Sequence, residues 1–393
     1  MSPKRQETSK ILTSKILAVV VWLAVMVVAG IQFYQHRNFK EPVVLGPGVT
    51  QVKTLGDYFP EIKGTVNDCN IYILDSGQPG GTFFVVGGTH PEEPGASLSA
   101  LHLVENARVT QGRLIVAIHA NRSASTVTRP GEAYPQFYHI PTEWGVRKFR
   151  MGDRWSNPLD SWPDPEVYVH YPSRQMLAYM DVRNLNRTWP GRPGGLITEK
   201  TCYALIQLMK QEKVDAFIDL HEAELEYSVI STIVAHQTAA PVAAMASMTL
   251  TAEEFPIGME FSPASLHGLS HREVGDAIGV PTFELEAPEP FLDRVRGATG
   301  EYLLLTGKDE FVMKAGEHGL LYEKIDENGW PIDVRVGRHN STILKIAEVW
   351  SQVNPDRAVV IENVPRYAEV KEKGVGYYLL NPAEAPKDRV VYE

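Results

Sequence analysis

Between residues 67 and 353, short apolar runs alternate with longer segments in which apolar positions recur at helical spacing. The apolar runs predict strands at 70–74, 82–86, 114–118, 216–220, 229–234 and 282–285. The helical spacing predicts helices at 94–108, 198–212, 239–254, 270–278, 302–315 and 341–353. Strands separated by helices of this length predict an α/β fold, in which helices sandwich a mixed, largely parallel sheet. In such sheets, functional residues gather in the loops at the carboxyl ends of the strands.

A different hydrophobic pattern stands near the N-terminus, where residues 16–31 form an unbroken apolar run. Extended through Tyr34, this run gives a helix of about 28 Å, roughly the thickness of the hydrocarbon core of a bilayer. A cleaved signal peptide is the alternative, because Val27-Val28-Ala29 resembles a small-residue cleavage site. The run is longer than a usual signal-peptide core, and its aromatic end suits a retained anchor. We therefore expect one transmembrane signal anchor at 16–34.

The charges that flank this run predict its orientation. Four basic residues precede the run, whereas only Arg37 and Lys40 closely follow it. The positive-inside rule then keeps residues 1–15 in the cytoplasm and exports the chain that follows the helix. We expect a single-pass protein of the cell membrane whose main domain lies on the extracytoplasmic side.

Composition narrows the class of protein. The 393 residues are 44% hydrophobic and 22% charged, which is typical of a globular protein and excludes a disordered or coiled-coil chain. The formal net charge is −10, and because the first 40 residues carry +5, the remainder carries −15. So acidic a body would be repelled by phosphate backbones, and we expect no nucleic-acid partner. Cys69 and Cys202 are too few for a disulfide scaffold; they form one bridge or are two buried small side chains.

Breaks in the pattern divide the exported part. Residues 35–66 are punctuated by proline and glycine and are predicted to be a linker to the main domain at 67–353. Within that domain, 119–195 show little periodicity and hold many of the Pro, Trp and Tyr residues. So long an irregular segment is usually functional, so we expect it to pack over a site. Residues 354–393 are a C-terminal extension to which the sequence assigns no chemistry.

Histidine and glutamate residues at strand ends indicate a metal site. The strand at 82–86 is followed by Gly87-Gly88-Thr89 and then by His90 and Glu93, which a tight turn can direct to one cation. The strand at 216–220 runs into His221, with Asp219 on the same side of the strand, where it can orient a ligand. Two histidines and one glutamate make the three-ligand set of a catalytic zinc. We therefore predict one Zn²⁺ per chain.

The strand at 282–285 carries an acid that stability does not explain. Burial of Glu284 without a partner would be expensive. A general base that takes a proton from water beside the metal accounts for a carboxylate at this position. The alternative is that Glu284 faces solvent on an edge strand. Glu286 lies on the same strand face, so the base could also be placed two residues later.

Arginines and amides crowd the string Asp-Val-Arg-Asn-Leu-Asn-Arg-Thr-Trp-Pro-Gly, which starts at Asp181. A guanidinium fork fits a carboxylate in a bidentate manner, so the string indicates an anion clamp that includes Arg183, Asn186 and Arg187. The alternative is an ordinary surface loop with salt bridges. That alternative suits Arg183 alone better than it suits the whole string.

These motifs together, spread over roughly 68–353, resemble the zinc carboxypeptidase superfamily, and most of all its succinylglutamate desuccinylase/aspartoacylase branch. The resemblance implies that His90, Glu93 and His221 are the zinc ligands and that Glu284 is the catalytic glutamate. It also implies that Asn186 and Arg187 hold the carboxylate of a substrate. Members of the family usually have a further arginine, upstream of the Asn-Arg pair, that polarises the scissile carbonyl. Arg183 and Arg174 compete for that role here.

The sequence therefore indicates a membrane-tethered zinc amidohydrolase with its catalytic domain at 67–353. Its substrate would be a small molecule or peptide with a carboxylate next to the amide, as in an N-acyl amino acid or a peptide C-terminus. The alternative is a non-catalytic extracytoplasmic module that binds carboxylate-bearing peptides and retains the metal site. A general base at Glu284 favours the hydrolase, since binding alone needs no base.

The predicted orientation can be tested with protease added to intact cells or spheroplasts. Because the positive charges hold the N-terminus inside, we expect the exported domain to be digested. A cytoplasmic protein followed in the same samples should remain intact. Full protection of the domain at 67–353 would show that the orientation is wrong.

Overall fold

A computed structural model describes residues 3–127, 135–292 and 299–393, with side chains from Lys10 onward. The chain divides into an N-terminal unit that ends at Phe39 and a second compact unit over Lys40–Glu393. The α-helices are α1 Pro3–Arg37, α2 Pro94–Asn106, α3 Arg122–Ser125, α4 Pro158–Ser161, α5 Ile197–Gln211, α6 Ala240–Glu253, α7 Ser270–Ile278, α8 Glu301–Thr306, α9 Glu310–Glu317, α10 Ile332–Val353 and α11 Tyr367–Lys373.

Helix α1 contains the predicted anchor. Its stretch Lys10–Arg37 has a mean hydropathy of 2.6 and is long and apolar enough to cross a membrane, by length and composition. Its large apolar side chains are exposed, with Trp22 at 68%. A candidate membrane-spanning helix is therefore present where the apolar run predicted one, and its orientation stays a prediction.

The second unit is built on one eight-stranded sheet, in the spatial order β13-β12-β14-β11-β4-β6-β3-β2. Its strands are β2 Gln51–Thr54, β3 Asn70–Asp75, β4 Thr82–Val86, β6 Arg113–Ala117, β11 Ala216–Glu224, β12 Thr232–Ala235, β13 Gly258–Phe261 and β14 Thr282–Glu289. The four central strands β6, β4, β11 and β14 run parallel. On one side β12 pairs antiparallel with β14 and parallel with β13, and on the other side β3 and β2 each pair antiparallel with the strand before them in the sheet. The mixed, largely parallel sheet is thus as predicted.

The remaining strands form small antiparallel pairs around this sheet: β1 with β16, β5 with β15, β7 with β8, and β9 with β10. Their bounds are β1 Pro42–Val44, β5 Arg108–Gln111, β7 Phe137–Thr142, β8 Gly145–Arg150, β9 Tyr168–Val169, β10 Met176–Leu177, β15 Val360–Glu362 and β16 Val390–Tyr392. Strands β1 and β2 lie inside the predicted linker at 35–66, and β16 of the C-terminal extension pairs with β1.

Both faces of the central strands are buried, as expected for parallel strands covered by helices. Alternate residues of β4 enter different cores: Phe83 and Val85 pack with α2, α6 and α10, whereas Phe84 and Val86 pack with α5. Both cysteines are free and buried, and Cys69 and Cys202 belong to the second of these cores. The two cysteines are therefore buried small side chains and do not form a disulfide bridge.

Most predicted elements match within a few residues, but one predicted helix is wrong. The segment 302–315 forms two helices, α8 and α9, because Gly307 ends α8 in the left-handed conformation with φ at 59°. Asp309 then caps α9 by accepting a hydrogen bond from the backbone N–H of Val312. Residues 128–134 of the predicted irregular segment and residues 293–298 of the predicted main domain lie outside the described residues.

Candidate metal centre and active site

Adjacent strands bring the predicted site residues together. In the register of the sheet, Asp219 on β11 lies beside Glu284 on β14, and His221 lies beside Glu286. Strand β4 is the other neighbour of β11, and its carboxyl end leads into the turn that holds His90. Because the carboxyl ends of parallel strands meet at one edge, residues far apart in sequence share one site.

The turn after β4 depends on a glycine. Gly88 has φ at 62°, and a Cβ atom there would lie 2.8 Å from the carbonyl oxygen of Ile118. A larger residue would therefore be strained and would collide with the neighbouring backbone. The turn carries the chain back to Glu93, which is the N-cap residue of α2, with Pro94 at the first helical position.

The carboxylate of Glu93 lies between two imidazoles. Its Oε1 atom is 2.7 Å from Nδ1 of His90, and its Oε2 atom is 3.0 Å from Nδ1 of His221. The donor atoms of these three residues all lie within 4.8 Å of one another, and all three side chains are buried. The three side chains could therefore hold one metal ion.

The other nitrogen of each imidazole faces an oxygen atom. Nε2 of His90 donates to Oδ1 of Asn184 at 2.9 Å, and Nε2 of His221 is 3.2 Å from Oδ2 of Asp219. The second oxygen of Asp219 accepts a hydrogen bond from the hydroxyl of Thr89 at 2.8 Å. Such partners fix the orientation of a ligating histidine and leave Nδ1 facing the site.

The site passes a chemical test for a divalent cation. Each imidazole has an oxygen atom near both of its nitrogens, so each ring either carries two protons or has a cation between its Nδ1 atom and Glu93. Burial raises the pKa of Glu93, but the charges of His90 and His221 outweigh burial and lower it overall. Burial lowers the pKa of His221, but Asp219, Glu93 and Glu284 raise it well above its usual range. Two imidazole nitrogens and a carboxylate suit zinc.

Two other groups of histidines and acids lie within ligand distance among the described residues. One consists of Asp219, His221 and Glu284 and shares His221 with the set described above. The other consists of His170, His267 and Glu273. Nε2 of His170 lies 2.5 Å from the carbonyl oxygen of Trp189 and Nδ1 lies 2.7 Å from the hydroxyl of Ser173, so both nitrogens already have partners.

Glu284 is held beside this centre by neutral hydrogen-bond donors. Its Oε2 atom accepts from Nδ2 of Asn186 at 3.1 Å and from the hydroxyl of Ser270 at 3.0 Å, and it lies 3.8 Å from Nε2 of His221. Burial raises the pKa of Glu284, but His271, His221 and these hydrogen bonds lower it overall. These contacts favour the ionised form of the carboxylate, which is the form that can accept a proton.

The structure brings only part of the predicted anion clamp to the site. Asn186 and Arg187 line the same cavity as Glu284, and the amide of Asn186 also accepts from the backbone N–H of Ser270 at 2.8 Å. Arg183 instead pairs with Asp164 at 3.1 Å and is outside the described lining of the cavity. Arg174, its predicted competitor, is exposed.

Arg154 also lies in the site, although no sequence motif pointed to it. Its Nε atom donates to Glu92 at 2.8 Å, and its Nη2 atom is 3.5 Å from Glu93. It lines the cavity and belongs to the irregular segment at 119–195. The expectation that this segment packs over a site thus points to the right part of the chain, but the segment lacks a periodicity that would single out one residue.

The cavity has a volume of about 330 Å³. It combines the metal-ligand candidates, the clamp residues and a set of further acids. Its described lining consists of His90, Glu93, Arg154, Asn186, Arg187, His221, Glu222, Ala223, Glu224, Tyr227, Val229, Val234, Glu260, Phe261, Pro263, Leu266, Leu269, His271, Glu284 and Glu286.

No family model and no curated protein matches the chain. Among solved structures, the chain is similar to the ectoine utilization protein EutE from Ruegeria pomeroyi, at 20% identity over 58% of this chain and 56% of that one, with a TM-score of 0.35. It is similar to a succinylglutamate desuccinylase/aspartoacylase from Rhodobacter sphaeroides, at 20% identity over 56% and 51%, with a TM-score of 0.35. It is also similar to a metallo-carboxypeptidase from Burkholderia cenocepacia, at 12% identity over 78% and 66%, with a TM-score of 0.44.

Two of these structures carry the names of the groups that the motifs resemble, a succinylglutamate desuccinylase/aspartoacylase and a metallo-carboxypeptidase. The chain matches 51–56% of the length of the first three structures found.

The metal site can be tested by zinc analysis of the dialysed protein. Loss of a residue that only hydrogen-bonds to a metal ligand lowers metal affinity by about 10–100-fold. His221→Ala removes one of the three ligands themselves, so the affinity for zinc should fall by more than that. His139→Ala is the control, because His139 pairs with Glu301 and its side chain is 44% exposed. Zinc content in His221→Ala equal to that of the wild type would show that the ligand set is wrong.

Proposed function

We propose that this protein is a zinc-dependent amidohydrolase that cleaves an amide bond next to a carboxylate. The substrate would be an N-acyl amino acid or the C-terminal residue of a peptide. One observation carries the proposal: the buried carboxylate of Glu284, the His90–Glu93–His221 cluster and the guanidinium of Arg187 line a single cavity. A metal cluster beside a base and an anion-binding group is what hydrolysis of such an amide needs.

His90, Glu93 and His221 would hold one zinc ion per chain. When bound, zinc supplies Lewis-acid polarisation of the scissile carbonyl and activation of the attacking water. Asp219 and Asn184 orient the two imidazoles through their Nε2 atoms. Neither residue belongs to the three-ligand set, and Asp219 in addition raises the pKa of His221.

Glu284 acts as the general base and then as the general acid. Its carboxylate takes a proton from the attacking water as the bond from water oxygen to carbonyl carbon forms. It then delivers that proton to the amide nitrogen as the carbon–nitrogen bond breaks, so the base is restored at the end of the cycle. The hydrogen bonds from Asn186 and Ser270 keep the carboxylate in place during both transfers.

Two arginines position the substrate. Arg187 binds the carboxylate next to the amide, because a guanidinium matches a carboxylate in geometry and charge. Arg154 stabilises the negative charge that develops on the carbonyl oxygen. From the sequence, Arg183 and Arg174 were the candidates for this role. The support for Arg154 is its place in the cavity, beside Glu93.

The N-terminal helix would tether this activity to the outer side of the cell membrane. Its support is the apolar stretch Lys10–Arg37 together with the basic residues that precede it. Outside the cell, short peptides are more accessible than cytosolic N-acyl amino acids. We therefore propose peptides as the natural class of substrate.

Glu284→Gln tests the base. The substitution keeps the size of the side chain and removes the proton acceptor, so turnover should fall by about 10²–10⁴-fold or more while zinc content and folding are retained. The assay is hydrolysis of a panel of N-acyl amino acids and short peptides by zinc-loaded protein. Glu327→Gln is the control, since Glu327 is exposed and outside the cavity. Retained turnover in Glu284→Gln with loss in Glu286→Gln would place the base two residues later.

Arg187→Ala tests the clamp. Loss of a charge-assisted contact should raise the Michaelis constant for substrates with a free carboxylate. The matching amidated substrates should be poor for the wild type and almost unaffected by the substitution. Arg108→Ala, at an exposed arginine of β5, should leave both kinds of substrate unchanged. Equal losses on both kinds in Arg187→Ala would contradict the clamp.

A further inference from the structure

The cavity contains more negative charge than the proposed hydrolysis requires. Six carboxylates belong to its described lining, against two arginines. Three of the six have partners: Glu93 contacts the two imidazoles, and Glu284 accepts from Asn186 and Ser270. Glu222 meets Arg335 of α10 at 2.8 Å and accepts from the backbone of Gly95 at 2.7 Å. The other three are Glu224, Glu260 and Glu286.

Among these three, Glu286 is the one with a buried carboxylate oxygen, and the residue as a whole is half-buried. It is on β14, two residues after Glu284 on the same strand face and beside His221 in the neighbouring strand. Its Oε2 atom is buried and has no hydrogen-bond partner among the described residues. Arg154 attracts it electrostatically, but the hydrogen bonds of that guanidinium go to Glu92 and Glu93.

A second polar atom without a partner stands opposite Glu286. Thr232 on β12 is the register partner of Glu286, is 2% exposed, and its Oγ1 atom makes no hydrogen bond among the described residues. Buried polar atoms without partners are rare and costly. Here two such atoms, Oε2 of Glu286 and Oγ1 of Thr232, belong to residues that are paired in the sheet, and Glu286 lines the cavity. Their position indicates a place where a ligand supplies the missing contact.

We infer that Glu286 is a specificity-determining residue that binds an ammonium group of the substrate. The inference rests on the proposed function and narrows its substrate class to amides that carry both a carboxylate for Arg187 and an amine for Glu286. A cation satisfies the unpaired oxygen, and Glu224 and Glu260 attract it into the cavity. A second anionic group on the substrate is disfavoured by the same carboxylates, so dicarboxylate substrates should be poor.

Two matched pairs of compounds test this inference. Nα-acetyl-L-lysine and Nα-acetyl-L-norleucine differ in an ammonium group after the amide; 6-aminohexanoyl-L-alanine and hexanoyl-L-alanine differ in one before it. The zinc-loaded wild type should prefer the ammonium member of at least one pair by about tenfold or more in kcat/KM, the factor contributed by a hydrogen bond to a charged group. Calorimetric affinities of the metal-free protein for the same compounds give a readout that does not depend on turnover.

Glu286→Gln should abolish this preference in both measurements. Its melting temperature should be unchanged or higher, because the substitution removes an unpaired buried carboxylate. Glu327→Gln should keep the wild-type preference. Equal affinity of the wild type for both members of each pair would overturn the inference, even if the amides are hydrolysed. A calorimetric preference that depends on Glu286, without hydrolysis of any compound, would support the inference and refute the proposed hydrolase.

Discussion

Two imidazole nitrogens meet the carboxylate of Glu93 in the interior of the protein, and the rest of the site is arranged around that contact. Three charged groups this close together are expensive to bury unless each has a partner on every polar atom. His90 has Asn184 behind it, and His221 has Asp219. The parallel alignment of β4, β11 and β14 makes this possible, because it delivers all these residues to the same edge of the sheet.

The same constraint explains which site residues the sequence could predict. His90, His221 and Glu284 follow or lie in apolar strands whose period is visible, so the rule for carboxyl ends of parallel strands applies to them directly. Arg154 has no such signal, because it lies in an irregular segment and its position depends on tertiary packing. Arg183 was predicted to belong to the anion clamp because it is close to Asn186 and Arg187 in sequence, but its guanidinium forms an ion pair with Asp164.

The fold shows a similar division. The largely parallel sheet follows from alternating strands and helices, whereas the antiparallel pairing of β12 with β14 leaves no trace in the hydrophobic pattern. The break between α8 and α9 depends on the left-handed backbone of Gly307, and an isolated glycine inside a helical pattern is compatible with either outcome. Strand β14 continues to Glu289, past the apolar run, and the carboxylate of Glu289 accepts hydrogen bonds from the backbone N–H groups of Phe291 and Leu292.

The length of β14 has a consequence for how proteins of this architecture can diverge. Glu284 and Glu286 project from one face of a strand that is hydrogen-bonded on both sides, so their backbone positions are fixed relative to each other. We therefore expect that a substitution at residue 286 leaves the strand that holds residue 284 in place. If residue 286 determines selectivity as proposed, a single substitution there changes the preferred substrate and requires no change in a loop.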